Sequence, residues 1–248
     1  MSPPWRRGFA SELRGKTLVT VLGMHRSGTS AVAGTIQDHG VKLGPVSEQA
    51  RFNARGNREI RELNQLHNAI LKRSGGSWWD PPGQVRLRRS DFRRRDEVLG
   101  AIPGGTIGVK DPRMLLLIEL WRDLDPKPIG VIRNPVAVRK SLERRGRERA
   151  ERHPQLSAVG WEELWGIYNR ALLEELDREP FPVIDFERDV DLDAQVRAAL
   201  AFHDLEAGAD SRFFDRELVG QRVDEWRAQI ISAEALVLWD ELARRSLA

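Results

Sequence analysis

Residues Thr17-Leu-Val-Thr-Val-Leu22 run directly into Gly-Met-His-Arg-Ser-Gly-Thr-Ser at 23–30, and Ala31-Val-Ala-Gly-Thr-Ile36 follows. The first stretch is short, apolar and β-branched, which reads as a buried strand. The last reads as a helix opening. Between them two glycines, with four residues between, let backbone N–H groups come close to an anion at the start of a helix. This strand–loop–helix unit limits the chain to folds in which parallel strands alternate with helices.

The rest of the chain keeps that alternation. Val41-Lys-Leu43 is a short second strand candidate, and Asn57 to Lys72 has helical spacing with Ile60, Leu63, Leu66, Ile70 and Leu71 on one side. Thr106–Val109, Pro128–Ile132 and Phe181–Asp185 read as strands, with Pro182 favouring an edge or an early position for the last. Helices are expected over Met114–Leu124, Val136–Arg149, Trp161–Leu176, Leu192–Phe202 and Asp224–Leu247. The expected fold class is α/β, a single domain with a mostly parallel central sheet flanked by helices. Residues 1–15 read as a flexible N-terminal arm, and 16–248 as the domain.

Composition removes other classes. There is no cysteine, so disulfides, thiolate metal sites and Cys nucleophiles are excluded. The five histidines show no metal-ligand spacing, and no metal is expected. No apolar run approaches the ~20 residues of a membrane span, and the first residues lack the apolar stretch of a secretory signal. A cytoplasmic protein is expected, with peripheral membrane contact through the last helix as the alternative. Residues 1–154 carry 30 basic and 16 acidic side chains, net +14; residues 155–248 carry 10 and 21, net −11. The basic part points to an anionic ligand.

Three polar turns follow predicted strands: 23–30, Lys110-Asp-Pro-Arg113 and Arg133-Asn-Pro135. In parallel sheets ligands bind beyond the carboxyl ends of the strands, so the three turns should converge. The loop at 23–30 has the glycine spacing of the phosphate-binding pattern G-x-x-x-x-G-K-[ST], but Thr29 stands where a nucleotide triphosphatase needs Lys. Its cation is Arg26, inside the loop. A phosphate-binding site for a different group transfer is indicated.

The sequence Gly-Met-His-Arg-Ser-Gly-Thr-Ser resembles the 5′-phosphosulfate loop of sulfotransferases that use 3′-phosphoadenylyl sulfate (PAPS), above all the bacterial and carbohydrate branches. Arg133-Asn-Pro with Ser141 is similar to that family's Arg and Ser pair for the 3′-phosphate. Asn53-Ala-Arg-Gly-Asn-Arg-Glu59, Val109-Lys-Asp-Pro-Arg113 with Trp121, and Val183-Ile-Asp-Phe-Glu-Arg188 resemble further segments. Ala54, Asn57 and Phe186 depart from its pattern. The likeness covers about residues 17–205.

The resemblance implies a P-loop-like sulfotransferase fold and sulfuryl transfer from PAPS, without a metal, to an acceptor hydroxyl, with a carbohydrate or glycoconjugate expected. It implies that His25, Arg26, Ser27, Gly28, Thr29 and Ser30 contact the 5′ end, and Arg133 and Ser141 the 3′-phosphate. Arg26 and Lys110 would stabilise the leaving group. Glu59, Glu48 and Asp111 are the candidates for the general base, with Glu59 favoured because it begins a helix and carries the N-x-x-G-x-x-E pattern. Trp78, Trp79 and Phe52 are loop candidates for the adenine shelf, while Trp161, Trp165, Trp226 and Trp239 read as core. The arginine-rich tracts at 86–95 and 139–152 read as solvated helix faces, or else as contacts to an anionic acceptor. Two other functions remain open: an atypical P-loop kinase or nucleotide-binding protein, and a basic nucleic-acid-binding module. No nucleic-acid motif supports the second.

Overall fold

The computed structural model describes residues 13–49, 55–147, 160–188, 191–214, 223, 225–230 and 232–247. Most of the arm at 1–15, Phe52, and residues 148–152 of the second arginine tract lie outside them.

Strands β1 (Thr17–Leu22), β2 (Thr106–Lys110), β3 (Lys127–Ile132) and β4 (Val183–Asp185) form one sheet in the order β2-β1-β3-β4. Every pairing is parallel. Side chains alternate across β1, so the two faces build two cores. Val19 and Val21 meet Val32, Ala33 and Ile36 of α1 (Thr29–Asp38) and Val196, Ala199 and Leu200 of α6 (Leu192–Phe202). Leu18 and Leu22 join the larger core on the other face. There lie α2 (Arg61–Arg73), α3 (Arg89–Gly100), α4 (Pro135–Arg147), α5 (Trp161–Arg178) and α7 (Ala233–Arg244). Each fully buried Val, Leu or Ile contributes about 1.5–3 kcal/mol, so the apolar strands hold both layers of helices. β4 is an edge strand and begins just after Pro182, which agrees with both positions that a proline allows. Among the described residues no helix is long and apolar enough to cross a membrane.

Several expected elements differ. Val41–Leu43 makes only an isolated bridge, Lys42 to Ile107, because Gly40 and Gly44 on either side turn the chain away with positive φ. Helix α2 begins at Arg61 and not at Asn57, which leaves Glu59 ahead of the helix. Pro112–Leu120 and Arg122–Leu124 are 3-10 segments in place of one α-helix. Asp111 caps the first through the Arg113 amide, and Leu117 breaks its φ/ψ run. The last helix is shorter than expected: a 3-10 turn at Trp226–Gln229 precedes α7, whose N-terminus Ser232 caps by accepting from the Ala235 amide. Helix α3 occupies the first arginine tract, and Arg95 there is not solvated. It is fully buried and paired with Asp96 and Asp123.

Candidate active site

Strand register explains why the three turns meet. Val21 of β1 lies opposite both Lys110 of β2 and Ile129 of β3, and Ile132 of β3 lies opposite Asp185 of β4. The residues that follow each strand therefore emerge together at the carboxyl end of the sheet.

The loop after β1 is shaped by backbone constraints. Gly28 has φ of 93°, in the left-handed region, and forms the N-cap of α1. A Cβ there would lie 2.2 Å from the Phe186 ring. Gly23 passes so close to β3 that a Cβ would lie 2.5 Å from the Val131 carbonyl oxygen. Arg26 also holds a positive φ, of 71°, a conformation that costs a non-glycine residue about 1 kcal/mol or more. Among the described residues no side chain caps α1, so its first-turn amides and dipole face the loop. Ser27 Oγ is buried and has no hydrogen-bond partner among the described residues.

The loop binds the turn after β3 directly. Arg26 Nε donates to Ser141 Oγ at 2.8 Å, and Arg133 Nη1 donates to the Arg26 carbonyl at 3.3 Å. Trp165 Nε1 in turn donates to the Arg133 carbonyl at 3.1 Å. Burial, then the nearby charges of Arg133 and Arg144, pull the Arg26 guanidinium down to about 10. It stays protonated at neutral pH. This concentration of like charge is one that a bound polyanion would relieve.

A second cluster adjoins the loop. Ser30 Oγ donates to the Asn57 carbonyl at 3.1 Å, which draws the chain at 57–59 across the start of α1. Lys110 Nζ donates to Glu59 Oε1 at 2.8 Å, Asn64 Nδ2 donates to Oε2 at 2.8 Å, and Arg113 Nη1 lies 3.7 Å away. The Glu59 side chain is 12% exposed and Lys110 2%. Asp111 is buried between Arg113 at 2.7 Å and His67, whose Nδ1–H donates at 2.9 Å. Burial alone would raise its carboxyl, but Arg113 and then His67 hold it well below the usual carboxylate range.

Glu48 stands apart from this cluster. Its side chain is 71% exposed and reaches Arg58 at 3.4 Å. His25 points into the protein, 4.4 Å from the Trp78 ring and 5.9 Å from Tyr168. Burial, then Arg113 and Arg145, push its imidazole well below the ordinary value. Trp78 is therefore a packing residue, and its carbonyl accepts from the Tyr168 hydroxyl at 2.9 Å. Trp79 is half-buried against its edge. Trp161, Trp165 and Trp239 are core residues, and Trp226 packs on Trp239.

The structure brings Arg26, Ser27, Gly28, Thr29, Ser30, Glu59, Lys110, Arg133 and Ser141 to one region through these bonds. It adds residues that sequence reasoning gave no role: Arg113, His67, Asn64 and Glu187. Arg113 and Glu187 lie in the quoted Lys-Asp-Pro-Arg and Val183–Arg188 segments, so those segments could have flagged them. His67 and Asn64 join only through tertiary contact.

No protein-family model matches the chain, and no curated protein matches it. Its structure is similar to the sulfotransferase domain from the Synechococcus PCC 7002 olefin synthase. The two align with a TM-score of 0.53 and 17% sequence identity, over 92% of this chain and 96% of that one. The parallel sheet, the glycine loop after β1 and the flanking helices thus make up the fold of a sulfotransferase domain.

Proposed function

We propose that the protein is a PAPS-dependent sulfotransferase acting on an acceptor hydroxyl, with a carbohydrate or glycoconjugate as the acceptor class. The observation that carries this reading is the bond from Arg26 Nε to Ser141 Oγ, with Arg133 on the Arg26 carbonyl. It joins the residues assigned to the two anionic ends of one nucleotide. The site's chemistry fits such a ligand: among the described residues the buried Ser27 hydroxyl has no partner and the α1 terminus no side-chain cap, and three arginines lie near one another.

When bound, PAPS supplies an activated sulfuryl group and a phosphate leaving group. Arg26, the loop amides, Thr29 and Ser30 would hold its 5′ end, and Arg133 and Ser141 its 3′-phosphate. Glu59 would take the proton of the acceptor hydroxyl while the sulfuryl group passes to that oxygen and the phosphate leaves. Lys110 holds Glu59 in place and offers positive charge to the departing phosphate oxygen. Asp111, bound to Arg113 and His67, orients this cluster and does not serve as base.

Incubation with sulfur-labelled PAPS and a panel of carbohydrate, phenolic and lipid hydroxyls tests the reading. Label in a carbohydrate supports it in full, and label in another class reassigns the acceptor. Label in no acceptor, together with stabilisation by ATP and magnesium but not by 3′-phosphoadenosine 5′-phosphate in a thermal melt, overturns it in favour of a kinase-like site.

A further inference from the structure

Glu187 lies in the turn after β4, 54 residues beyond Arg133, yet it is bonded to the turn after β3. Parallel pairing explains this: Ile132 lies opposite Asp185, and the Phe186 amide donates to the Ile132 carbonyl at 3.0 Å. Residues 133–134 and 186–187 therefore leave the sheet side by side. The turn is held by the Asp185 carboxylate, which accepts from the Glu187 amide at 3.1 Å.

The two oxygens of Glu187 do separate work. Oε1 accepts from Arg133 Nε at 2.9 Å, and Oε2 accepts from Asn134 Nδ2. Asn134 Oδ1 accepts from the Ala137 amide at 2.7 Å, closing the first turn of the helix that carries Ser141. One half-buried carboxylate thus orients the guanidinium plane of Arg133 and also ties down the start of α4. A bidentate guanidinium recognises phosphate only when its plane is held.

We propose that Glu187 is a positioning residue that sets recognition of the ligand's ribose phosphate. It aims Arg133 and α4 together, so that a nucleotide with a 3′-phosphate binds in preference to one without it. This rests on the nucleotide reading given above. Glu187 also bears a negative charge near the anion site, and simple repulsion would act in the opposite direction. The two roles predict opposite signs.

Calorimetric titration of the full chain with 3′-phosphoadenosine 5′-phosphate and with adenosine 5′-phosphate separates them. Glu187→Ala should lower the affinity ratio between the two nucleotides about tenfold, the scale of one charge-assisted hydrogen bond, and should leave adenosine 5′-phosphate binding nearly unchanged. Glu187→Gln keeps the shape and an acceptor oxygen but cannot accept from both donors, so its ratio should fall between wild type and Ala. If the Ala variant fails to fold, a lowered ratio in the Gln variant carries the test. An unchanged or raised ratio in the folded variants overturns the proposal. A wild-type protein that does not discriminate between the nucleotides would instead overturn the nucleotide reading itself.

Discussion

Glu59 and Asp111 are both carboxylates beside Lys110, but their surroundings divide their roles. Asp111 is enclosed by Arg113 and His67, and its charge is spent on holding them. Glu59 keeps some exposure at the start of α1 while two donors orient it. Turnover should therefore depend on Glu59. Glu59→Gln should lower kcat by about two to four orders of magnitude, with little change in nucleotide affinity, as initial rates and calorimetry would show. Normal turnover would remove it as the base. The residue types were legible in the sequence, because the pattern at 53–59 singled out Glu59. The helix expected from Asn57 starts only at Arg61, so Glu59 precedes α2 and is held by Lys110 and Asn64.

At the scale of elements, the junction of β1 and α1 concentrates the strain. Gly28 needs both its left-handed φ and the missing Cβ, since Phe186 fills the space. Gly28→Ala should destabilise the fold by about 1–3 kcal/mol, measured by chemical melts. Phe186→Ala in the same chain should recover part of that loss, because it removes the clash and leaves the φ penalty. A double variant no more stable than Gly28→Ala would show that the ring does not set the constraint. The four strands were readable because apolar, β-branched runs ended by polar turns carry a strong local signal. Helix limits were less so. Propensity cannot report that Asp111 and Pro112 start a 3-10 segment, or that Gly40 and Gly44 prevent a strand at 41–43.

Across the whole molecule, the basic surplus of residues 1–154 is partly internal. Arg26, Lys110, Arg113 and Arg133 gather at the carboxyl end of the sheet, and Arg95 is buried in its own pairs. Such pairings depend on tertiary contacts, and the sequence showed only the tracts. The arrangement makes stability depend on pH. His25 is buried and its folded value lies below the ordinary one, mainly through burial. Between those two values the unfolded chain binds the extra proton, so stability rises with pH. It should be full above about pH 6.5, the unperturbed histidine value, and decline below it. His203, also lowered by burial, adds to that slope. Asp111 adds a second loss below about pH 4, where unfolded carboxylates protonate. Urea melts from neutral to mildly acidic pH should show a shallower slope for His25→Phe than for wild type. Parallel slopes would place the titration elsewhere. The proposed function needs the loop after β1 and the turn after β3 to form one site for a nucleotide phosphorylated at both its 3′ and 5′ positions. Calorimetric titration of wild type and Arg133→Ala with 3′-phosphoadenosine 5′-phosphate checks this. Wild type should bind saturably without magnesium, and the variant at least about tenfold more weakly, with adenosine 5′-phosphate binding little affected. No binding to wild type, or equal weakening of both nucleotides in the variant, would rule out such a site.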